Sequence, residues 1–359
     1  MAEAITFSRR YAAPVLVVLV AGVLIAIERQ ALTDWVQRIH DQGWAGFWAL
    51  FVGGVTLGSV YALIALGYSM VYGILKLLNF AHGDVYMIGA FAGYGMMTAL
   101  GGPLDPTVPI ALLIVVMFIA AMLGSGVLGV VIERVAYRPL REAPRIAPLI
   151  SALGVSFFLQ NSALLLFGAS FRSYDTFDLG ASNPGSGIPG PMFRQLFTLS
   201  TVPVRLAQVL VVVVGLALMV ALTTLVQRTR LGKAMRATAY DREAAAMMGI
   251  DVDRVIASTF FIGSALAGAA GVMFGLVFSQ IFHFMGFLAG LKGFTAAVVG
   301  GIGSIPGAML GGLLVGLAET FAAGYVSGNW SDLLVFSMLI GFMLLRPSGL
   351  LGTRAIQKV

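Results

Sequence analysis

Apolar residues along this chain fall in long unbroken runs rather than in alternation with polar ones. The runs cover residues 12–27, 44–75, 84–101, 108–132, 146–168, 205–227, 255–278, 287–303, 306–326 and 332–346. A helix rises about 1.5 Å per residue, so roughly 20 apolar residues cross a hydrocarbon core of about 30 Å. Barrel strands would show a dyad alternation instead. The pattern predicts an all-α, polytopic transmembrane helical bundle of about ten membrane segments. The run 44–75 is too long for one upright span and must tilt or project beyond the lipid. The runs 287–303 and 306–326 are separated only by Gly303-Ser304-Ile305-Pro306-Gly307, so they form either two spans or a hairpin that stops partway. The first run follows Arg9 and Arg10, as in a signal peptide. Ile27-Glu28-Arg29 is a poor cleavage site, so the run is read as a retained, short first span, with cleavage as the alternative.

Composition strengthens this reading. Hydrophobic residues make up 59% of the 359 positions and charged residues 11%, against about 25% charge in an ordinary soluble domain. The net charge of +6 would suit nucleic acid in a soluble protein. Here the basic residues gather in short segments: Arg134, Arg138, Arg141 and Arg145 in 133–145; Arg228, Arg230, Lys233, Arg236, Arg242 and Arg254 in 228–254; Arg346, Arg354 and Lys358 at the C-terminus. Such clustering fixes orientation in a membrane, with the basic loops and both termini in the cytoplasm. Nucleic acid is therefore not an expected partner; the lipid bilayer is. The outer segment 169–204, rich in Gly, Pro and Ser, is expected to be irregular. The chain has no cysteine, which excludes disulfides, thiolate metal sites and a cysteine nucleophile.

Candidate chemistry is sparse. No paired carboxylates, His-Glu-x-x-His, nucleophile elbow or phosphate loop is present, so no enzyme activity is expected. The stretch Lys76-Leu77-Leu78-Asn79-Phe80-Ala81-His82-Gly83-Asp84 interrupts two apolar helices. Polar groups at membrane depth are costly unless they face protein or a watery cavity, which makes Asn79 and His82 candidates for a substrate passage. The competing reading is a polar turn near the cytoplasmic end, with Asp84 capping the next helix. His82 has no second ligand at metal spacing, so no metal site is expected. Gly303, Ser304 and Pro306 in the second glycine-rich break are further passage candidates, since broken segments in both halves of a transporter often mark its path. No sequence repeat between the halves is evident.

The glycine stripes Gly263, Gly268, Gly271, Gly275 and Gly307, Gly311, Gly312, Gly316 are read as close helix packing, with a passage lining as the alternative. Lys292 and Glu319 are expected to reach an interface by snorkelling. Helical interiors otherwise lack acids and histidines, so the driving force is expected to come from another chain. In the loop 228–254, residues 231–248 suit an amphipathic helix, stopped at Gly249 in a left-handed conformation and followed by Ile250. Such a helix lies on anionic lipid or docks into a groove of a soluble partner.

Four strings resemble the LivH-type permeases of branched-chain amino acid ABC importers: GSVYALIALGYSMVYGILKLLNFAHGDVYMIGAF (58–91), VIERVAYRPLR (131–141), FTAAVVGGIGSIPGAMLGG (294–312) and RPSGLLG (346–352). The resemblance covers roughly 45–359. It implies a permease domain over 44–359 with the ABC importer permease fold, preceded by an extension, 1–43, that carries the short first span. It also implies a multi-pass protein of the bacterial inner membrane that carries leucine, isoleucine and valine. The implied partners are a second homologous permease, two cytoplasmic ATPases that use ATP and magnesium, and a periplasmic substrate-binding protein. The family's coupling motif maps onto Glu243, Ala244, Ala245, Gly249 and Ile250. A urea or short-amide permease is the near alternative; a secondary carrier or channel is the alternative outside the class.

Overall fold

The computed structural model describes residues 29–100, 109–144, 146–174, 195–199 and 202–352, with side chains from residue 43 onward. The predicted span 12–27 lies outside the described residues, as do most of the outer segment and the last basic residues. Eleven helices follow in the described chain: α1 Arg29–Leu75, α2 His82–Ala99, α3 Ile110–Ile132, α4 Ile146–Phe167, α5 Leu206–Arg228, α6 Arg230–Tyr240, α7 Arg242–Met247, α8 Val252–Phe278, α9 Met285–Gly300, α10 Ile305–Phe321 and α11 Gly328–Leu345. Seven of them, with their continuations, are long and apolar enough to cross a membrane. The α2 and α9 helices, of 18 and 16 residues, are the shorter pieces between them. The long run at 44–75 stays one continuous helix, a span of 33 residues from Gly43, where a kink (φ 48°, ψ −152°) sets it off from the residues before it.

The core is built on α1 and α8. Val60 and every residue from Ala62 to Leu66 are fully buried, as are Ala267, Ala269 and Ala270. These two helices cross at Gly67 and Gly263, where a Cβ on Gly263 would lie 3.3 Å from the Gly67 carbonyl oxygen. The glycine stripes serve this packing. A Cβ at Gly58 would sit 2.8 Å from the Leu313 backbone of α10, and Gly268 abuts the Ala121 carbonyl of α3. Small residues let backbones approach where lipid supplies no hydrophobic drive between helices. Around this centre α4, α5 and α11 turn apolar faces outward, as at Phe158, Leu165, Val220 and Leu345.

An internal repeat that sequence comparison does not reveal is plain in three dimensions. Helices α1–α2–α3 correspond to α8–α9–α10. In each set the long first helix ends at a left-handed residue, Lys76 (φ 56°) or Ser279 (φ 60°). An equal gap follows, 76–81 or 279–284, and then a short helix whose second residue is glycine, Gly83 or Gly286. The third helix of each set packs on the first helix of the other. The loop 228–254 contacts the end of α1 and leads into the start of α8, so the two sets run in opposite senses. The break at 76–84 is therefore matched by 279–286 rather than by 303–307.

Strand structure is limited among the described residues. Arg172–Ser173 (β1) pairs antiparallel with Gln280–Ile281 (β4), and Gln195–Leu199 (β2) pairs with Val202–Arg205 (β3). The outer segment, expected to be irregular, thus contributes a short hairpin.

Candidate functional site: the 228–254 loop and the buried polar break

The 228–254 loop is two helices, not one. Thr229 caps α6, its hydroxyl accepting from the Gly232 N–H at 3.0 Å. Asp241 ends α6 in an extended conformation and caps α7, accepting from the Glu243 and Ala244 N–H groups at 3.1 Å each. An aspartate satisfies the orphan donors of a new helix better than it continues an old one, which is why the amphipathic run divides there. Gly249 closes α7 with φ 82°, as its position after the alanine run predicts.

The predicted contact residues fall on two surfaces. Glu243, Ala244 and Gly249 face outward with Met247 and Met248, whose exposures are 82% and 83%. Ile250 is half-buried, and Ala245 is buried inside this chain at 4% exposure. Ala245 is therefore a packing residue that props α7.

The first residue of α7 reaches the membrane helices. Arg242 donates to the carbonyls of Ile74 and Leu75 at 3.1 and 3.0 Å, the last turn of α1. A cation on the orphan carbonyls of a helix C-terminus also meets the negative end of its dipole. Burial lowers the Arg242 pKa from its ordinary value, and the like charge of Arg141 adds to this.

The motif 131–141 contacts both the polar break and the start of α8. The Tyr137 hydroxyl lies 3.1 Å from both the Leu78 carbonyl and Asn79 Oδ1, donating to one of them. Arg141 pairs with Glu133 and with Asp253 at the start of α8, the latter at 2.5 Å, and Arg138 shares Asp253.

The polar break is not an exposed turn. Asn79, His82 and Asp84 are at most 2% exposed. Asp84 does not cap α2; its carboxylate accepts from Ser156 and, at 3.1 Å, from Gln160, both on α4. The His82 ring stands edge-on to Tyr68 at 4.7 Å and abuts Gly67, two turns before the end of α1. Beside it the starts of α2 and α9 meet: a Cβ on Gly286 would lie 2.8 Å from the Asp84 Cα. Two helix N-termini and a carboxylate thus converge inside the bundle, an electrostatically favourable arrangement. Nothing in the local sequence around Ser156 or Gln160 marks them; their part comes from the pairing of α4 with α2.

Gly303, Ser304 and Pro306 sit elsewhere, in the turn between α9 and α10. Ser304 caps α10, accepting from the Gly307 N–H at 3.2 Å, with Pro306 in its first turn. The tail motif 346–352 folds onto this turn: Leu350 and Leu351 donate to the Val299 and Gly300 carbonyls at 2.9 Å each. Gly303 lines a cavity of about 770 Å³ with Tyr72, Lys76, Arg236 and Ser348.

Lys292 and Glu319 do not snorkel to an interface. Lys292 Nζ lies 2.7 Å from Glu319 and 2.6 Å from Asp332, and the lysine is 6% exposed. Pairing offsets the desolvation that an isolated buried charge would suffer.

The family model described as the permease component of the branched-chain amino acid transport system matches residues 50–343. The high-affinity branched-chain amino acid transport system permease protein BraD of Pseudomonas aeruginosa is 44% identical over 308 residues, covering 86% of this chain and 96% of BraD. The corresponding LivH protein of Escherichia coli strain K12 is 44% identical over 306 residues, with 85% and 96% covered. LivM of the same organism, also named a permease of that system, is 29% identical over 323 residues, with 82% and 68% covered. The chain belongs to the family of branched-chain amino acid transport system permease components.

Proposed function

We propose that the chain is the membrane-spanning permease subunit of an ATP-binding-cassette importer that carries leucine, isoleucine and valine across the bacterial inner membrane. Its likeness to LivH and BraD on one side and to LivM on the other supports pairing with a second, homologous permease. Two cytoplasmic ATPases bind ATP and magnesium, and a periplasmic binding protein delivers substrate. The chain itself breaks no covalent bond. In this reading the 228–254 loop and both termini are cytoplasmic, in keeping with the excess of Lys and Arg on that side.

One observation carries the reading: an outward apolar face, Ala244, Met247 and Met248, on a helix whose first residue grips the end of α1. Such a helix fits a groove in a soluble partner and moves with it. Closure of the ATPases on ATP would pull α7, and Arg242 would pass the displacement to the last turn of α1 and the buried break at 76–84. A coupling device needs a two-state element with a contact that biases it. The test is uptake of leucine by proteoliposomes. The chain reconstituted with its second permease, ATPases and binding protein is expected to import leucine only when ATP is enclosed on the ATPase side. Leucine movement by the chain alone, independent of ATP, would replace this reading with a secondary carrier or channel.

A further inference from the structure

Helix α4 has two unlike faces. Ala152, Ser156 and Gln160 are buried, and the last two hold the Asp84 carboxylate. The opposite face carries Ile150, Gly154, Phe157, Phe158, Asn161 and Leu165, all exposed. At 3.6 residues per turn these fall in one stripe about 100° wide. Asn161 lies about 9 Å inside the end of α4 at Phe167, within the hydrocarbon. Its amide donates to the Phe157 carbonyl at 2.8 Å. The second N–H and the side-chain oxygen of this amide meet no partner among the described residues. Lipid tails supply none, so an outward asparagine at this depth is costly unless another helix covers it. Gly154 is the second sign. A Cβ there would meet nothing within 4 Å, so nothing in this chain's own packing requires a glycine in mid-helix. On the outer surface it leaves a notch where a second backbone can come close. The outward faces of α3, α5 and α11 carry aliphatic residues such as Val127, Val220 and Leu344, which lipid satisfies. Ser337 on α11 can return its hydroxyl to its own helix, which an asparagine cannot do with all of its groups.

We propose that the outer face of α4 is the surface on which the second, homologous permease packs, with one of its transmembrane helices seated at Gly154 and hydrogen-bonded to Asn161. Depth selects this occupant: a soluble ATPase or binding protein does not reach the hydrocarbon, and a lipid tail has neither donor nor acceptor. A two-fold axis along the membrane normal sets corresponding helices of two like subunits at equal depth. An amide, donor and acceptor at once, serves such a seam well. The pairing presupposes the two-permease transporter proposed for this chain. It also places the second subunit directly behind Ser156 and Gln160, one helix away from the buried break.

The test uses the assembled transporter, with both permeases, ATPases and binding protein, in native membranes. The photoreactive p-benzoylphenylalanine replaces Phe158 and, for comparison, Val220 on α5; after irradiation the adducts are identified by mass spectrometry. Phe158 is expected to yield an adduct with the second permease, and Val220 an adduct with lipid only. Asn161→Leu removes no contact but the bond to the Phe157 carbonyl, so the chain is expected to fold. A tagged Asn161→Leu chain in mild detergent is expected to retain the second permease about three- to ten-fold less well than the wild type, from the loss of an interhelical hydrogen bond. Where that variant does not fold, the cross-link alone decides. Adducts of Phe158 confined to lipid, to a second copy of this chain or to the chain itself overturn the proposal. So does an adduct with the second permease from Val220 but not Phe158, or full retention by Asn161→Leu. ATP-dependent leucine uptake is measured on the same preparation. Uptake without the Phe158 adduct strikes this interface and keeps the transport reading; the adduct without uptake does the reverse.

Discussion

Ala244 and Ala245 are neighbours in sequence and belong to different surfaces. Ala244 faces outward, and Ala245 is buried against its own chain. A bulky residue therefore does different things at the two positions. Ala244→Trp and Met247→Asp are expected to leave the permease folded and inserted while weakening retention of the ATPases about ten- to hundred-fold, the effect of about 1–3 kcal/mol of overpacking or a desolvated charge at the contact. Ala245→Trp is expected to lower the yield of folded permease instead. Pull-down of the ATPases together with the yield of folded permease separates these outcomes. Full retention by both Ala244→Trp and Met247→Asp would remove α7 from the docking surface. Gly249 was legible in the sequence because helix stops are local: a glycine after an alanine run adopts φ 82° with open space around it. The burial of Ala245 was not, since it depends on what the loop folds against. The same holds for Asp84, whose partners Ser156 and Gln160 lie more than 70 residues away.

At the scale of elements, Arg242 is the side chain by which α7 hydrogen-bonds to the last turn of α1. Arg242→Ala would remove the donors on the Ile74 and Leu75 carbonyls and leave the outer face of α7 intact. Because Arg242 is part exposed, the cost to stability is expected to be modest, about 1 kcal/mol for hydrogen bonds that water partly replaces. The larger effect is expected in coupling: ATPases still dock, ATP hydrolysis continues, and leucine imported per ATP falls several-fold. Unchanged stoichiometry in the reconstituted variant would show that force passes by another route. The apolar runs foretold the order of the nine described helices outside the loop, α1–α5 and α8–α11, because lipid imposes length and continuity on each one. They did not foretell which breaks correspond. Glycine and proline drew attention to 303–307, whereas the counterpart of 76–81 is Ser279-Gln280-Ile281-Phe282-His283-Phe284, which contains neither. Its backbone is satisfied in part by pairing Gln280–Ile281 with Arg172–Ser173, a tertiary contact with no local signature.

For the molecule as a whole, one end of the bundle gathers the end of α1, the end of α3, the start of α8 and the α6–α7 loop. Arg242, Tyr137, Arg141 and Asp253 tie these pieces together. The tail motif joins the turn between α9 and α10 at Leu350 and Leu351, and Gly303 of that turn shares a cavity with Lys76 and Arg236. The β2–β3 hairpin precedes α5 and so belongs to the opposite end, where α4 has already carried the chain across. The absence of native cysteine makes this polarity directly testable. Thr198 in β2 is exposed, and Met247 in α7 is exposed, so a cysteine at either site is open to a reagent. Thr238 is unsuitable because it is buried. In intact cells a membrane-impermeant maleimide is expected to label Thr198→Cys and to spare Met247→Cys, and in inside-out vesicles the preference is expected to reverse. Labelling of both from outside would put the exposed face of α7 where no ATPase can reach it, and labelling of both from inside would mean that α5 does not cross the membrane. Labelling in the reversed sense would put the Lys and Arg of 133–145 and 228–254 outside, against the charge bias that orients such proteins. Any result that labels Met247→Cys from outside would defeat ATPase docking at α7 while leaving the inverted packing of α1–α3 and α8–α10 untouched, because that packing is fixed by glycine contacts that are indifferent to which side is in.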